Sequence, residues 1–273
     1  MQGLRWRQEE VIHQQKKTND MTEQTSKKPT KYEEAMDIIG NVREKSDSII
    51  LMLSLGKDSI VCLDLCYPKF KRIVCCFMYF VKDLEHIQRW INWCKARYPR
   101  IEFVQVPHWT LSYVLRSGLY SVPQPNVKLM SLQHVIKSLR LQYDIHYVCL
   151  GMKKADGLNR NVMLKTYAAD HYEHKGLFYP LATWTQKEIL SYMKQRRLPE
   201  PVRYSLAASS GIGMNKECFL WLRENCPQDL DRIFATFPFA ERILFEYDRK
   251  AELEEQRKQQ EALAAEEENS INE

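Results

Sequence analysis

Short, continuous apolar runs alternate with stretches of helical periodicity along the middle of this chain. The runs predicted as strands are 49–53, 72–80, 101–106, 146–150 and 178–181. Segments between them space apolar residues three and four positions apart, as with Ile87, Ile91 and Cys94, which is the spacing of a helix with one buried face. Continuous apolar strands alternating with helices indicate parallel pairing. We therefore expect an α/β fold with a parallel, five-stranded Rossmann-like sheet and helices on both faces.

The pattern changes towards both ends of the chain. Residues 1–29 are polar with few apolar anchors, which predicts a disordered segment, and Met21 leaves open whether the first twenty residues belong to the native protein. Residues 30–215 hold the predicted sheet, and residues 216–248 follow as a helical annex. The charged stretch 249–273 predicts a solvated helix that frays into a tail, with a protein-binding role as the alternative.

Composition supports a folded domain with an anionic ligand. Hydrophobic residues make up 44% of the chain, yet no apolar run approaches the roughly 20 residues that span a bilayer, and no signal peptide is recognisable. We therefore expect a cytoplasmic protein without a membrane partner. The net charge is +5, and residues 31–248 carry +7. A basic body suits a nucleotide and permits contact with nucleic acid, which charge alone does not establish.

The cysteines do not follow a metal-binding pattern. They are Cys62, Cys66, Cys75, Cys76, Cys94, Cys149, Cys218 and Cys226. Most of them lie within apolar segments, and no C-x-x-C sequence occurs. We expect reduced, buried thiols and neither a zinc site nor an iron–sulfur cluster.

A polar turn follows the first predicted strand. The apolar run 49–53 ends at the sequence SLGKDS, residues 54–59, before the next helix. Small residues at this position let backbone amides converge on an anion, the helix adds its positive N-terminal end, and Lys57 adds a charge suited to phosphate. In a parallel sheet, ligands lie beyond the carboxyl ends of the strands. A simple strand-to-helix turn with a surface Lys–Asp pair is the alternative.

The stretch SLGKDSIVCLDL resembles the PP-loop of the adenine nucleotide α-hydrolase superfamily, whose usual form is SGGKDS before an apolar helix. Five positions match, and Leu55 replaces a glycine. The superfamily includes the phosphoadenosine phosphosulfate (PAPS) reductase-like family and the small subunit of ATP sulfurylase, and its loop grips the phosphate or sulfate end of the nucleotide. The resemblance assigns nucleotide binding to Ser54, Leu55, Gly56, Lys57, Asp58 and Ser59.

Two later stretches carry the same resemblance in the same order. LGMKKADGLNR is similar to the GxRxxES-type motif, with Gly151 matched, Lys153 and Lys154 standing where arginine is usual, and Asp156 replacing glutamate. The resemblance assigns nucleotide binding to Gly151, Lys153 and Lys154 as well. FYPLATWTQKEILSYMKQRRLPEPVRYS is similar to a segment that follows in the family. Its matching residues are Pro180, Leu181, Trp184, Thr185, Ile189, Tyr192, Leu198, Pro199 and Tyr204. The resemblance covers about residues 32–215.

The chain also departs from the family. It lacks the ECG-type motif of the reductases, and Met214 follows Ile212 and Gly213 where many members have cysteine. A thiol-based reductase is therefore disfavoured, although Cys218 and Cys226 keep it as an alternative. After the second strand, Tyr79 and Phe80 are either adenine-packing or core residues.

The chemistry implied by the resemblance is cleavage of ATP, or of a PAPS-like nucleotide, at the α-phosphate, with Mg²⁺ assisting. Lys57 and Lys153 would stabilise charge together with Lys154, while Asp58 and Asp156 would hold a metal or orient a lysine. His108, just past the third strand, is the general-base candidate. Arg160 and Lys165 extend a basic rim or lie on a solvated surface, and His171 and His174 resemble a metal pair only superficially.

Three functions therefore remain open. The first is an adenine-nucleotide-dependent transferase or hydrolase, the second a PAPS reductase with an unusual thiol, and the third a non-catalytic nucleotide-binding regulator or partner subunit. Similar proteins occur in bacteria, prophages and mobile elements, and some act in sulfur metabolism or in sulfur modification of nucleic acids with a protein partner.

Overall fold

The computed structural model of the protein describes residues 29–201 and 214–271, with side chains described as far as residue 263. The predicted disorder of residues 1–28 and the family matches at Tyr204, Ile212 and Gly213 lie outside these residues. Within the described part, no helix is both long enough and apolar enough to cross a membrane.

A single six-stranded sheet forms the centre of the structure. Its strands are β1 (Ser48–Met52), β2 (Arg72–Tyr79), β3 (Ile101–Pro107), β4 (Val148–Cys149), β5 (Glu173–His174) and β6 (Leu177–Phe178). Their order across the sheet is β3-β2-β1-β4-β6-β5. All neighbouring pairs are parallel except β5 and β6. The strand order reverses next to β1, so the loop that follows β1 opens at a switch point.

Helices connect the strands and extend the chain beyond them. They are α1 (Lys31–Lys45), α2 (Lys57–Cys66), α3 (Glu85–Arg97), α4 (Leu111–Ser117), α5 (Leu132–Tyr143), α6 (Leu158–Thr166), α7 (Gln186–Arg196), α8 (Lys216–Asn225), α9 (Pro227–Thr236) and α10 (Arg242–Ile271). Three short 3₁₀ segments, Lys154–Asp156, Ala168–Asp170 and Pro238–Glu241, lie between them.

Strand β1 is buried on both faces of the sheet. Ile49 and Leu51 belong to a hydrophobic cluster that also holds buried residues of α1, α2, α3 and α7. Ile50 and Met52 belong to a second cluster, which is closed by α5 and α6. A strand covered on both faces needs apolar residues at every position, and this explains its continuous apolar run. The predicted α/β fold class is confirmed.

The hairpin β5–β6 adds a strand that the sequence did not predict. Five strands pair in parallel as expected, while β5 joins the edge in the antiparallel direction. Lys175 and Gly176 form its two-residue turn with φ of 51° and 77°, the left-handed backbone that such tight hairpins require. Strands of two residues are too short to show the alternation of apolar and polar positions that marks a strand. The sequence around His171 and His174 was therefore not predicted to contain one.

The helical annex docks on the sheet through a buried aspartate. Asp229 of α9 accepts the backbone amides of Glu85 and His86 at 2.7 and 2.9 Å and thereby caps the amino end of α3. The bonded residues are more than 140 positions apart in the chain. Helix α10, which begins in the annex and continues past it, exposes large apolar side chains at Phe245 and Leu253.

Candidate functional site

The loop 54–59 connects β1 to the amino end of α2. Gly56 is the N-cap of this helix, and no side chain caps it. The first amides of a helix have no partner within it, so this uncapped end provides donors for an anion. Ser59 Oγ donates to the Gly56 carbonyl at 2.9 Å and lies 3.2 Å from Ser54 Oγ. These contacts hold the loop in a closed curve.

Leu55 adopts left-handed backbone within this loop, with φ of 60°. That conformation is favoured by glycine, and a glycine is usual at this position in the loop that the sequence resembles. The Leu55 side chain is only 4% exposed and belongs to the core cluster on the α2 side of the sheet. Its burial compensates for the strained backbone, so the loop keeps its shape without the glycine.

Gly151 brings the segment after β4 into contact with the first turn of α2. A Cβ at this position would lie 3.2 Å from the Asp58 carbonyl carbon and 3.3 Å from the Ser59 nitrogen. Both neighbours are backbone atoms that cannot move aside independently. The glycine therefore allows the second motif to pack against the first.

A buried lysine joins these two motifs electrostatically. Lys153 Nζ lies 2.7 Å from Asp58 Oδ2 and 2.9 Å from Asp156 Oδ1, and its side chain is 3% exposed. Asp58 also pairs with Lys57 at 3.1 Å, and Asp156 pairs with Arg160 at 2.9 Å. The Lys153 ammonium is therefore already compensated by two carboxylates, which leaves Lys57 as the more accessible cation of the loop.

The carboxyl group of Asp156 is held in its charged form. Burial alone would raise the pKa of Asp156. Lys153 has the opposite effect, because its ammonium and its backbone amide both donate to this carboxylate, and the pKa lies below its ordinary value. Asp58 keeps one carboxylate oxygen, Oδ1, buried and without a hydrogen-bond partner among the described residues. An oxygen in that state is suited to a cation that arrives with a ligand.

The neighbouring Lys154 turns to a different partner. Its Nζ donates to the Tyr172 hydroxyl at 2.8 Å and lies 4.7 Å from the centre of that ring. The structure thus separates the two lysines that stand together in the sequence. Lys165 is exposed on α6.

An apolar cleft of about 210 Å³ begins at the loop. It runs beyond the carboxyl ends of β1 and β2, and Ser54 and His108 both border it. The other lining residues are Met52, Leu53, Cys76, Phe77, Met78, Tyr79, Phe80, Val81, Leu84, Met214 and Ile233. We call it the first cleft. The mostly apolar wall with a few polar groups is typical of a small-molecule site.

His108 lines the first cleft as a neutral ring. Its Nδ1 accepts the Thr110 amide at 3.2 Å and lies 2.6 Å from the Thr110 hydroxyl. Because an amide can only donate, the ring proton lies on Nε2. Burial lowers the pKa of His108, which favours the neutral ring. The ring stacks on Phe80 with centroids 4.9 Å apart.

The cysteines and the remaining histidines form no reactive cluster in the described part of the chain. All eight cysteines lie there and are buried. Cys76 borders the first cleft, but burial raises its pKa to about 12. His174 stacks on Tyr167 with centroids 4.5 Å apart, and His171 is exposed. No group of three or more metal-ligating side chains occurs among the described residues.

Sequence reasoning missed part of the cleft wall. Phe77 and Met78 are near the carboxyl end of β2, and this position was the available signal for them. Ile233 belongs to α9, more than 150 residues further along the chain. No local pattern connects such a residue with the loop, because only the docking of the annex brings them together.

Two of three comparisons with known proteins find a match for the chain. The family model described as the phosphoadenosine phosphosulfate reductase domain matches residues 48–205. A similar solved structure is the NH₃-dependent NAD synthetase from Campylobacter jejuni subsp. jejuni, with 14% identity and a TM-score of 0.39. That similarity covers 82% of this chain and 97% of the synthetase chain. The search of curated proteins finds no match.

Proposed function

Because this chain belongs to the phosphoadenosine phosphosulfate reductase domain family, we propose that it binds ATP or a PAPS-like adenine nucleotide at the loop 54–59. The observation that carries the proposal is the continuity of this loop with the first cleft at Ser54. One end of the surface offers amides and an ammonium for phosphate. The other end offers apolar walls for a base.

The charge distribution supports this orientation of the nucleotide. Phosphate groups at the uncapped amino end of α2 would gain amide donors and the favourable end of the helix dipole. Lys57, which pairs with Asp58 at 3.1 Å, would exchange this partner for phosphate oxygens. The base would lie along Phe80 and within reach of the Nε2 proton of His108. This places His108 at the base and not at the reacting phosphorus.

The reaction we propose is transfer of the nucleotidyl group. An acceptor oxygen that is already deprotonated attacks the α-phosphorus of ATP, the bond from this phosphorus to the oxygen that bridges it to the β-phosphorus breaks, and pyrophosphate leaves with the bonding electrons. Lys57 stabilises the charge that develops on the phosphates, and the Lys153 bridge between Asp58 and Asp156 keeps the two loops in position. Their task is to hold the reacting groups in line.

The residues present fit a magnesium ion. Mg²⁺ in nucleotide sites is commonly held by one or two carboxylates together with phosphate oxygens, and Asp58 Oδ1 is a buried carboxylate oxygen without a hydrogen-bond partner among the described residues. Asp58 would hold the ion, which when bound neutralises phosphate charge. Both oxygens of Asp156 already have cationic or amide partners, so Asp156 is the weaker ligand.

Thiol-dependent reduction of PAPS has less support. That reaction needs an accessible thiolate as nucleophile. All eight cysteines lie among the described residues and are buried, and burial raises the pKa of Cys226 as well. Neither Cys218 nor Cys226 borders the first cleft.

The experiment that tests the proposal combines binding with product assays. Isothermal titration with ATP, PAPS and adenylyl sulfate, with and without Mg²⁺, measures affinity, and pyrophosphate and sulfite assays follow turnover. We expect Lys57→Ala to weaken binding by roughly tenfold or more, because it removes a charged hydrogen bond to phosphate. Lys137→Ala, an exposed lysine on α5, is the matched control and should bind as the wild type does.

The results separate the three functions. Mg²⁺-dependent release of pyrophosphate that Lys57→Ala abolishes supports the transferase. Sulfite release that depends on a thiol supports the reductase, and tight binding without turnover supports a regulator. Absence of binding to all three nucleotides contradicts the proposal.

A further inference from the structure

A second cleft lies beside the first. His108 is the only lining residue that the two clefts share among the described residues. The second cleft encloses about 470 Å³ between the carboxyl end of β3 and helices α4 and α5. Its lining residues are Val106, Pro107, His108, Trp109, Leu111, Ser112, Leu115, Val127, Lys128, Met130, Val135, Ser138, Leu139 and Gln142. The volume falls within the range of small-molecule sites.

The wall that separates the two clefts is a stack of three aromatic rings. Phe80 stacks on His108 at 4.9 Å with planes 19° apart, and His108 stacks on Trp109 at 5.7 Å with planes 27° apart. Phe80 borders the first cleft, Trp109 borders the second, and His108 borders both. A flat ligand against Trp109 would therefore extend an existing stack.

The outer wall of the second cleft is held in place by hydrogen bonds. Ser112 Oγ donates to the Trp109 carbonyl at 2.8 Å and accepts the Met130 amide at 2.9 Å. The Gln124 amide donates to the Leu115 carbonyl at 2.9 Å. These bonds tie the segment after α4 back onto that helix, so the cleft is already formed without a ligand.

Charge is confined to the mouth of this cleft. The exposed lining residues are Pro107, Lys128, Ser138 and Gln142, while the interior is apolar apart from Ser112 and His108. Lys128 is the charged side chain of the lining, apart from the neutral His108, and forms no ion pair within the described residues. An apolar interior below a single cation matches a molecule with a flat apolar body and one negative charge.

We propose that the second cleft binds an aromatic monoanion, that is, a planar, mainly apolar small molecule with one carboxylate or a similar group. Its apolar body lies against Trp109 and Leu139, and its anionic group lies at Lys128. His108 borders both clefts, so occupancy of the second cleft is expected to change nucleotide affinity in the first. That coupling alone rests on the proposed function; the binding itself does not.

The test uses the full chain without nucleotide. Isothermal titration compares 2-naphthoate with 2-naphthylmethanol, which has the same ring system without the charge. We expect 2-naphthoate to bind at one site and the alcohol to bind about two- to fivefold more weakly, the effect of one exposed ion pair. Lys128→Met should remove this difference, and Lys137→Met, on an exposed face of α5 outside the cleft, should keep it.

A second pair of variants locates the site. Ser138→Trp places a bulky ring at the mouth of the cleft and should abolish binding of 2-naphthoate, whereas Gln133→Trp, also exposed on α5, should not. Circular dichroism verifies that both variants fold. Equal affinity for acid and alcohol in the wild type, or unchanged binding by folded Ser138→Trp, would overturn the proposal. Either result is independent of whether ATP binds.

Discussion

Lys153 and Asp58 form a buried ion pair, 2.7 Å between Nζ and Oδ2, that joins the loop after β1 to the loop after β4. The two residues belong to different sequence motifs, and each motif was predicted separately to contact the nucleotide. Their pairing makes the two motifs one structural unit. Because its ammonium is already paired, we expect Lys153 to position the two loops and not to contact phosphate directly.

We expect Lys153→Met to destabilise the fold by about 3 kcal/mol, because it leaves two partly buried carboxylates, 24% and 18% exposed, without their shared buried cation. Asp58 keeps Lys57 and Asp156 keeps Arg160 as a partner. The loss of stability is therefore expected at the lower end of the range for broken buried ion pairs. Urea unfolding measures the free energy of unfolding. Lys154→Met is the control and should cost about 1 kcal/mol or less, since it removes only a hydroxyl and ring contact with Tyr172. Equal losses for the two variants would contradict the bridging role.

Leu55 offers a test of backbone strain against burial. Leu55→Gly relieves roughly 1 kcal/mol of left-handed strain but loses about 2 kcal/mol of side-chain burial, so we expect a net loss of roughly 1 kcal/mol. Leu55→Ala loses most of the burial and keeps the strain, so it should be the less stable of the two. Thermal and urea unfolding of both variants measure this order. If the alanine variant is the more stable, backbone strain at residue 55 is not significant.

The contact of Gly151 with α2 predicts a sharp cost for one added methyl group. Gly151→Ala should destabilise the chain by about 1–3 kcal/mol and weaken nucleotide binding, because the Cβ presses on the backbone of Asp58 and Ser59. The matched control is Gly40→Ala within α1, where a Cβ has nothing within 4 Å. That change should stabilise the helix by about 0.5–1 kcal/mol. Opposite signs of the two changes in unfolding free energy are the expected result.

The buried pair His86 and Asp229 predicts that acid loosens the annex. The Asp229 carboxylate, 2.6 Å from Nδ1, raises the pKa of His86, but burial lowers it by more. The pKa of His86 is therefore below its ordinary value. Burial alone raises the pKa of Asp229, but the amides of His86 and Glu85 hold it below 3.8. The unfolded chain therefore binds more protons than the folded chain as the pH falls below 6.5, the ordinary pKa of histidine.

The free energy of unfolding should accordingly decrease as the pH falls from 7.5 to 5.5, and again near the ordinary pKa of aspartate. His86→Gln should reduce the first decrease and leave the part that His108 contributes, since burial lowers the pKa of His108 as well, whereas the exposed His171→Gln should leave the decrease unchanged. Urea unfolding across this pH range measures both slopes. An identical slope in His86→Gln and in the wild type would assign the acid sensitivity to other groups.

Local patterns sufficed for the elements nearest the site. The fully apolar run at β1 predicted a central strand, and the small residues after it predicted the turn into α2. Thr185 and Glu188 have the three-residue spacing of a capping box, and the box is present, with Thr185 N donating to Glu188 Oε2 at 2.6 Å. Each of these features depends on neighbours within a few positions.

The α/β alternation, the position of the loop 54–59 at the carboxyl end of a buried strand, and the family of the chain follow from the amino-acid sequence alone. The pairing of Lys153 with Asp58, the capping of α3 by Asp229 and the place of Ile233 in the wall of the first cleft become visible only once the chain is folded. The difference lies in distance along the chain. Hydrophobic periodicity and capping are short-range properties, whereas an ion pair or a cleft wall between residues about 100 or more positions apart depends on how the completed elements pack.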